Sequence, residues 1–173
     1  MSWNKRIFEA AAAICAFAAA ASSARAEDPA LITFSGGYFD VVRQEETAVE
    51  AHVQYRGGER IDIFRPFAGL AVTSDGATNI FAGLLIDIYL GDRVVLTPSL
   101  SPSLYLEGGG KDLGFPLIWR PQIELAYRFD DGSRLGVSFL HLSNAGASTS
   151  NPSSESVLLT YSIPADRIFG LFD

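Results

Sequence analysis

The chain has 173 residues, a formal net charge of −7, 48% hydrophobic residues and a single cysteine. That length suits one domain, and the acidic balance argues against nucleic acid as a partner. After residue 27 nothing approaches 18 consecutive apolar residues, so no transmembrane helix is expected.

Residues 1–26 read as a secretory signal. Lys5 and Arg6 form a basic start, Ala10 to Ala21 an apolar stretch too short to span a bilayer as a helix, and Ala24-Arg25-Ala26 a small-residue cleavage site before Glu27. Cys15 lies inside it. A lipobox reading of Cys15 is the alternative, but Ile14 is too large for the position before the cysteine. The mature chain, 27–173, then has no thiol, and 10 basic residues stand against 19 acidic ones.

Eight strand-like segments follow, at 31–40, 47–56, 61–73, 78–90, 93–104, 121–129, 133–143 and 155–163. Several alternate with period two: Val49, Ala51, Val53 and Tyr55 against Glu50, His52, Gln54 and Arg56, and Ile123, Leu125, Tyr127 and Phe129 against Gln122, Glu124 and Arg128. Their lengths suit tilted strands that cross a bilayer. Connections at 57–60, 91–92 and 130–133 are short and rich in turn residues, whereas most of those at 41–46, 74–77, 106–116 and 144–154 are long. This asymmetry matches periplasmic turns and extracellular loops, and predicts an all-β, eight-stranded antiparallel outer-membrane barrel. A soluble lipocalin-like barrel is the alternative.

Eight strands leave a lumen that side chains can fill. Arg56, Arg65, Arg93, Arg128, Glu50, Asp87 and Glu124 are expected there as a neutralising network, with His52 as a structural member. Pro66, Pro98 and Pro102 fall inside strands, which predicts bulges or kinks. Ile80, Phe81, Leu84, Leu85 and Ile86 make the fourth segment apolar on both faces.

The chemistry concentrates in the last two segments. Leu135, Val137 and Phe139 share a face, and the same alternation carries it to His141 and Ser143. In the last segment Glu155, Val157, Leu159 and Tyr161 share a face. An antiparallel register with His141 opposite Glu155 makes the two apolar faces coincide. A hydroxyl, an imidazole and a carboxylate then converge on the lipid-facing surface at the outer rim, where isolated polar groups are costly. Ser143 as nucleophile, His141 as base and Glu155 as orienting acid fit a hydrolytic triad. An acyl-chain groove is expected beside Phe139, Val137 and Val157.

Other candidates carry less. Gly108-Gly109-Gly110-Lys111-Asp112 lacks the spacing and the helix of a phosphate loop and reads as a loop tip. No His/Cys/Asp cluster has metal-ligand spacing.

The stretch His141-Leu142-Ser143-Asn144-Ala145-Gly146, followed by Asn151 and Glu155, resembles the active-site region of the PagL family of lipid A 3-O-deacylases. The resemblance implies an outer-membrane esterase that removes the 3-position acyl chain of lipid A in lipopolysaccharide, without metal or cofactor. It also implies that Asn151 and the Gly146 amide match oxyanion-hole positions, with Asn144 in support. A non-catalytic small barrel (adhesin, resistance or structural protein) and an acyltransferase are the alternatives; oligomeric state is open. The tail Ala165 to Asp173, with Phe172 penultimate, continues past the last segment.

Overall fold

A computed structural model describes residues 28–150 and 152–170. The expected signal with Cys15, the oxyanion candidate Asn151 and the penultimate Phe172 lie outside the described residues.

The strands are β1 (Leu31–Phe39), β2 (Ala48–Arg56), β3 (Arg65–Thr73), β4 (Thr78–Leu85), β5 (Ile88–Leu90), β6 (Val94–Leu106), β7 (Leu117–Arg128), β8 (Arg134–Ser143) and β9 (Ser153–Pro164). A short helix, α1 (Ala165–Phe169), follows. All pairings are antiparallel. The order β4-β3-β2-β1-β9-β8-β7-β6-β5 closes through β4 against β6. Because β4 and β5 are two parts of one crossing strand, the sheet is an eight-stranded barrel. Closure removes the open edges that would leave backbone groups unpaired in lipid.

The broken fourth strand has a chemical cause. Pro98 and Pro102 of β6 donate no N–H, and the β6 ladder to β4 and β5 lapses opposite each. The expected bulges are absent: pairing resumes in the same register beyond both gaps, and Pro66 sits in an unbroken ladder with Leu84. Proline here deletes bonds without inserting residues. Two segment boundaries also differ from expectation. The chain at 57–64 is a longer connection, because Ile61 and Phe64 bridge across a tight turn with Asp62 at φ 61°. β7 begins at Leu117, four residues before Pro121, since the ladder with β6 already holds there.

Outward positions form an apolar belt that includes Phe34, Val53, Leu70, Leu104, Leu125 and Leu159. Inside, three layers fill the lumen. At the outer end Phe39, Tyr105, Leu113, Ile118, Leu140 and Leu142 pack as an apolar plug. At mid-height Arg56 makes a two-pronged bond to Glu124 at 3.0 and 2.6 Å. His52 Nε2 donates to Glu50 at 2.8 Å, and its Nδ1 accepts from Arg120 at 3.2 Å. Arg120 also lies 3.9 Å over the Phe81 ring. At the periplasmic end Asp87 accepts from Arg65 at 2.5 Å and Arg134 at 3.0 Å, while Asp28 takes Arg60 and Tyr89.

The lumen thus departs from the expected all-polar network. Arg93 is outside it, paired with Asp130 at an exposed turn, because it precedes β6. Arg128 is half-buried at the rim. The two-faced apolar character of the fourth segment is explained by Phe81 and Leu85, which point inward to pack with Phe67 and Ala71. Gly69 allows the close approach this needs, since a Cβ there would come 2.7 Å from the Phe81 ring; elsewhere, where β1 meets β9, one on Gly37 would fall 2.0 Å from the Val157 carbonyl. The tail turns beneath the barrel, where the Ala165 N–H donates to the Ala30 carbonyl and Arg167 pairs with Asp131.

Candidate active site

Alternation decides which side chains meet lipid. On β8, Leu140 and Leu142 are locked into the apolar plug at 1% and 2% exposure, which drives the intervening His141 outward and Ser143 with it. On β9, Ser154 and Ser156 are fully buried, so Glu155 and Val157 face out. The β8–β9 register sets His141 opposite Glu155, Phe139 opposite Val157 and Ser143 opposite Ser153.

Within this frame His141 Nδ1 donates to Glu155 Oε1 at 2.9 Å. A carboxylate can only accept, so Nδ1 carries the proton of this bond, and in the neutral ring the lone pair is on Nε2. Ser153 Oγ donates to the same Oε1 at 3.4 Å. Ser143 ends β8 half-buried on the same face, and among the described residues its Oγ makes no hydrogen bond to the imidazole. The three expected catalytic residues therefore share one patch, with two of them bonded.

Asn144, wholly buried, organises the loop beyond the strand. Its amide donates to the Leu113 carbonyl at 2.9 Å and the Ser150 carbonyl at 2.8 Å, and its Oδ1 accepts the Gly146 N–H at 2.9 Å. The Gly146 amide expected at an oxyanion is thus engaged by Asn144.

β7 supplies neighbours that the sequence reading passed over, because it began that strand at Pro121. Trp119 lies opposite Ser143. In the same register Pro121 falls opposite His141, and the ladder lapses there. The outward alternation of Leu117, Trp119, Pro121 and Ile123 was the signal available.

Trp119 is also the upper wall of an open groove of about 410 Å³ in the lipid-facing surface. Leu84 and Ile86 line one side, Pro98, Leu100 and Pro102 the other, with Phe64 at the foot. It runs from Trp119, the register partner of Ser143, toward the periplasmic end, and neither Ser143 nor His141 lines it. This groove lies on the β7 side of the triad, while Phe139, Val137 and Val157, where the acyl chain was expected, are exposed on the β8–β9 side.

Comparison with known proteins gives two findings. A family model for "Lipid A 3-O-deacylase (PagL)" matches residues 35–164, which include every strand beyond the first half of β1. Among solved structures, the outer-membrane enzyme PagL is similar at TM-score 0.61 and 19% identity, covering 78% of this chain and 99% of that one. A de novo designed transmembrane β-barrel matches at TM-score 0.57 and 9% identity, covering 82% and 98%. Both likenesses concern the fold. No curated protein matches in sequence.

Proposed function

The chain belongs to the lipid A 3-O-deacylase (PagL) family, and from that premise we propose that it is a serine esterase that hydrolyses the 3-position acyl ester of lipid A. It is an outer-membrane barrel, so its substrate is a neighbour in the same bilayer. One observation carries the reading: His141, bonded to Glu155 at 2.9 Å, shares the lipid face with Ser143, whose register partner Trp119 walls an apolar groove.

Ser143 Oγ attacks the ester carbonyl as its proton passes to His141 Nε2. The tetrahedral centre collapses, the bond to the sugar oxygen breaks, and that oxygen leaves with the proton from Nε2. Water then adds to the acyl-enzyme, giving a proton to Nε2, and the acid departs as Ser143 recovers its hydrogen. Glu155 holds the imidazole in the required tautomer and stabilises its cation. The hydrogen bond between Ser143 and His141 forms in the substrate complex, as such contacts are commonly long before substrate binds.

For the oxyanion we assign the Asn151 side-chain amide, with the Gly146 N–H shared from its bond to Asn144 Oδ1. One such donor contributes roughly 3 kcal/mol of barrier lowering. The acyl chain lies in the groove below Trp119, which puts the carbonyl at the rim and the tail among Leu100, Leu84 and Ile86.

Mass spectrometry of lipid A tests the whole. Cells expressing the wild type lose one 3-hydroxyacyl chain, and cells expressing Ser143→Ala keep it. Loss in both would remove Ser143 from the chemistry, and loss in neither would remove the activity.

A further inference from the structure

The loops above the site converge on a buried ion pair that takes no part in the chemistry. Asp40 follows β1 at φ 58° and is wholly buried. Its Oδ2 accepts the Glu45 and Glu46 amides at 2.9 and 3.0 Å. Its Oδ1 accepts Lys111 Nζ at 2.9 Å and Ser154 Oγ at 3.4 Å. Lys111, only 3% exposed, also reaches Glu45 at 3.0 Å.

Both ends of this cluster touch the triad's backbone. Ser154 adjoins Glu155, and the Glu155 carbonyl accepts the N–H of Val41, the residue after Asp40, at 2.9 Å. On the other side, Leu113 lies two residues beyond Lys111, and its carbonyl holds Asn144, which adjoins Ser143. The loop 107–116 is therefore a strut. Lys111 ties it through Asp40 to the strand that carries the acid, and Leu113 fixes it to Asn144 just past the strand end that carries the nucleophile. The lapse in the β7–β8 ladder at Pro121 leaves β8 with fewer bonds at this height, so the strut substitutes for lost pairing.

We propose that the Lys111–Asp40 pair is a positioning device that sets the spacing of Ser143 and Glu155 from inside the barrel mouth. The proposal rests on the esterase reading. Side chains on opposite faces of one strand share its backbone, so a shift of Ser154 or Asn144 is transmitted to its catalytic neighbour. Displacement of about 1 Å in such a constellation costs on the order of 10²-fold in rate.

The test compares purified wild type, Lys111→Met, Lys111→Arg and the doubly neutral Lys111→Met/Asp40→Asn in detergent micelles. The readouts are deacylation of lipopolysaccharide, Ser143 labelling by a fluorophosphonate, and heat-modifiable gel mobility as the measure of a folded barrel. Lys111→Met is expected to lower kcat and the labelling rate tenfold to a hundredfold, with KM within about twofold and folded mobility kept. Lys111→Arg is expected to recover most of the loss. The doubly neutral variant, which leaves no buried charge unpaired, is expected to fold and remain slow. Unchanged rates in folded variants would overturn the proposal, as would a loss that follows folded mobility, or a change in KM alone. If the wild type labels but does not deacylate, the substrate reading fails by itself, and the labelling rates still decide the positioning role. If it does neither, both fall.

Discussion

His141 Nδ1 lies 2.9 Å from Glu155 Oε1 across two adjacent strands, on a wall of the barrel that is otherwise apolar. A polar pair kept in that position needs a use. The consequence for activity is graded. Ser143→Ala and His141→Asn should each lower kcat by about 10⁶-fold, whereas Glu155→Gln should cost about 10⁴-fold, because the carboxylate acts only through the imidazole. Combining Ser143→Ala with either other change should add almost nothing. Acyl release from lipopolysaccharide measures all of them.

The groove predicts chain-length control. Ile86→Trp, placed toward its lower part, should slow long-chain substrates by 10-fold or more and leave short ones near wild-type rate, since each excluded methylene is worth roughly 1–3 kcal/mol. Val137→Trp, exposed on β8 and outside the groove lining, should show no such dependence. Competition between lipid A species of different acyl length would read both.

Inside the lumen, Arg56 and Glu124 form a wholly buried pair. Arg56→Met alone leaves a carboxylate without its partner and should destabilise the barrel by about 3–5 kcal/mol. Arg56→Met with Glu124→Leu should recover much of that loss. Urea unfolding in micelles, followed by tryptophan fluorescence, gives the double-mutant cycle.

Gly37 of β1 faces inward where β1 meets β9, and a Cβ there would fall 2.0 Å from the Val157 carbonyl. Gly37→Ala should force the closing strands apart and cost about 1–3 kcal/mol, with Gly36→Ala nearly neutral because its Cβ meets nothing nearer than 3.8 Å. The same unfolding assay discriminates them.

The outer-loop cluster predicts a pH window. Burial pushes the Asp40 carboxyl up, but the Glu46 amide, Lys111 and the Glu45 amide together hold it below its usual 3.8. Burial pulls Lys111 down, and Asp40 and Glu45 outweigh it, leaving the ammonium above 10.5. A lowered acid stabilises the fold above its unfolded pKa, and that contribution is lost as pH falls through the native value. A raised base stabilises below its unfolded pKa, and is lost as pH rises through the native value. Protection of the Glu45 and Glu46 amides, corrected for intrinsic exchange, should stay level between about pH 4 and 10. It should fall below that range, and Asp40→Asn should abolish the acid limb.

The alternation of Val49 to Tyr55 and of Ile123 to Phe129, with the turn residues between strands, made a barrel of eight crossings legible, because a strand's side chains change face at every residue. The same rule, carried from Leu135 to Ser143 and back from Tyr161 to Glu155, was enough to bring hydroxyl, imidazole and carboxylate to one face. Parity along two neighbouring strands is local information. Sequence did not reach the parts that depend on which distant strands meet. The groove is lined by Pro98 and Pro102 of β6, opposite which the ladder to β4 and β5 lapses, together with Leu84 and Ile86 from the facing strand. The strut exists because closure brings Asp40 and Lys111, from two separate connections, together with Ser154 of β9. Phe81 and Leu85 turn inward because Phe67 and Ala71 of the adjoining β3 pack with them there. Periodicity dictates the face a side chain takes, while its neighbour from another strand is decided only when the sheet closes on itself.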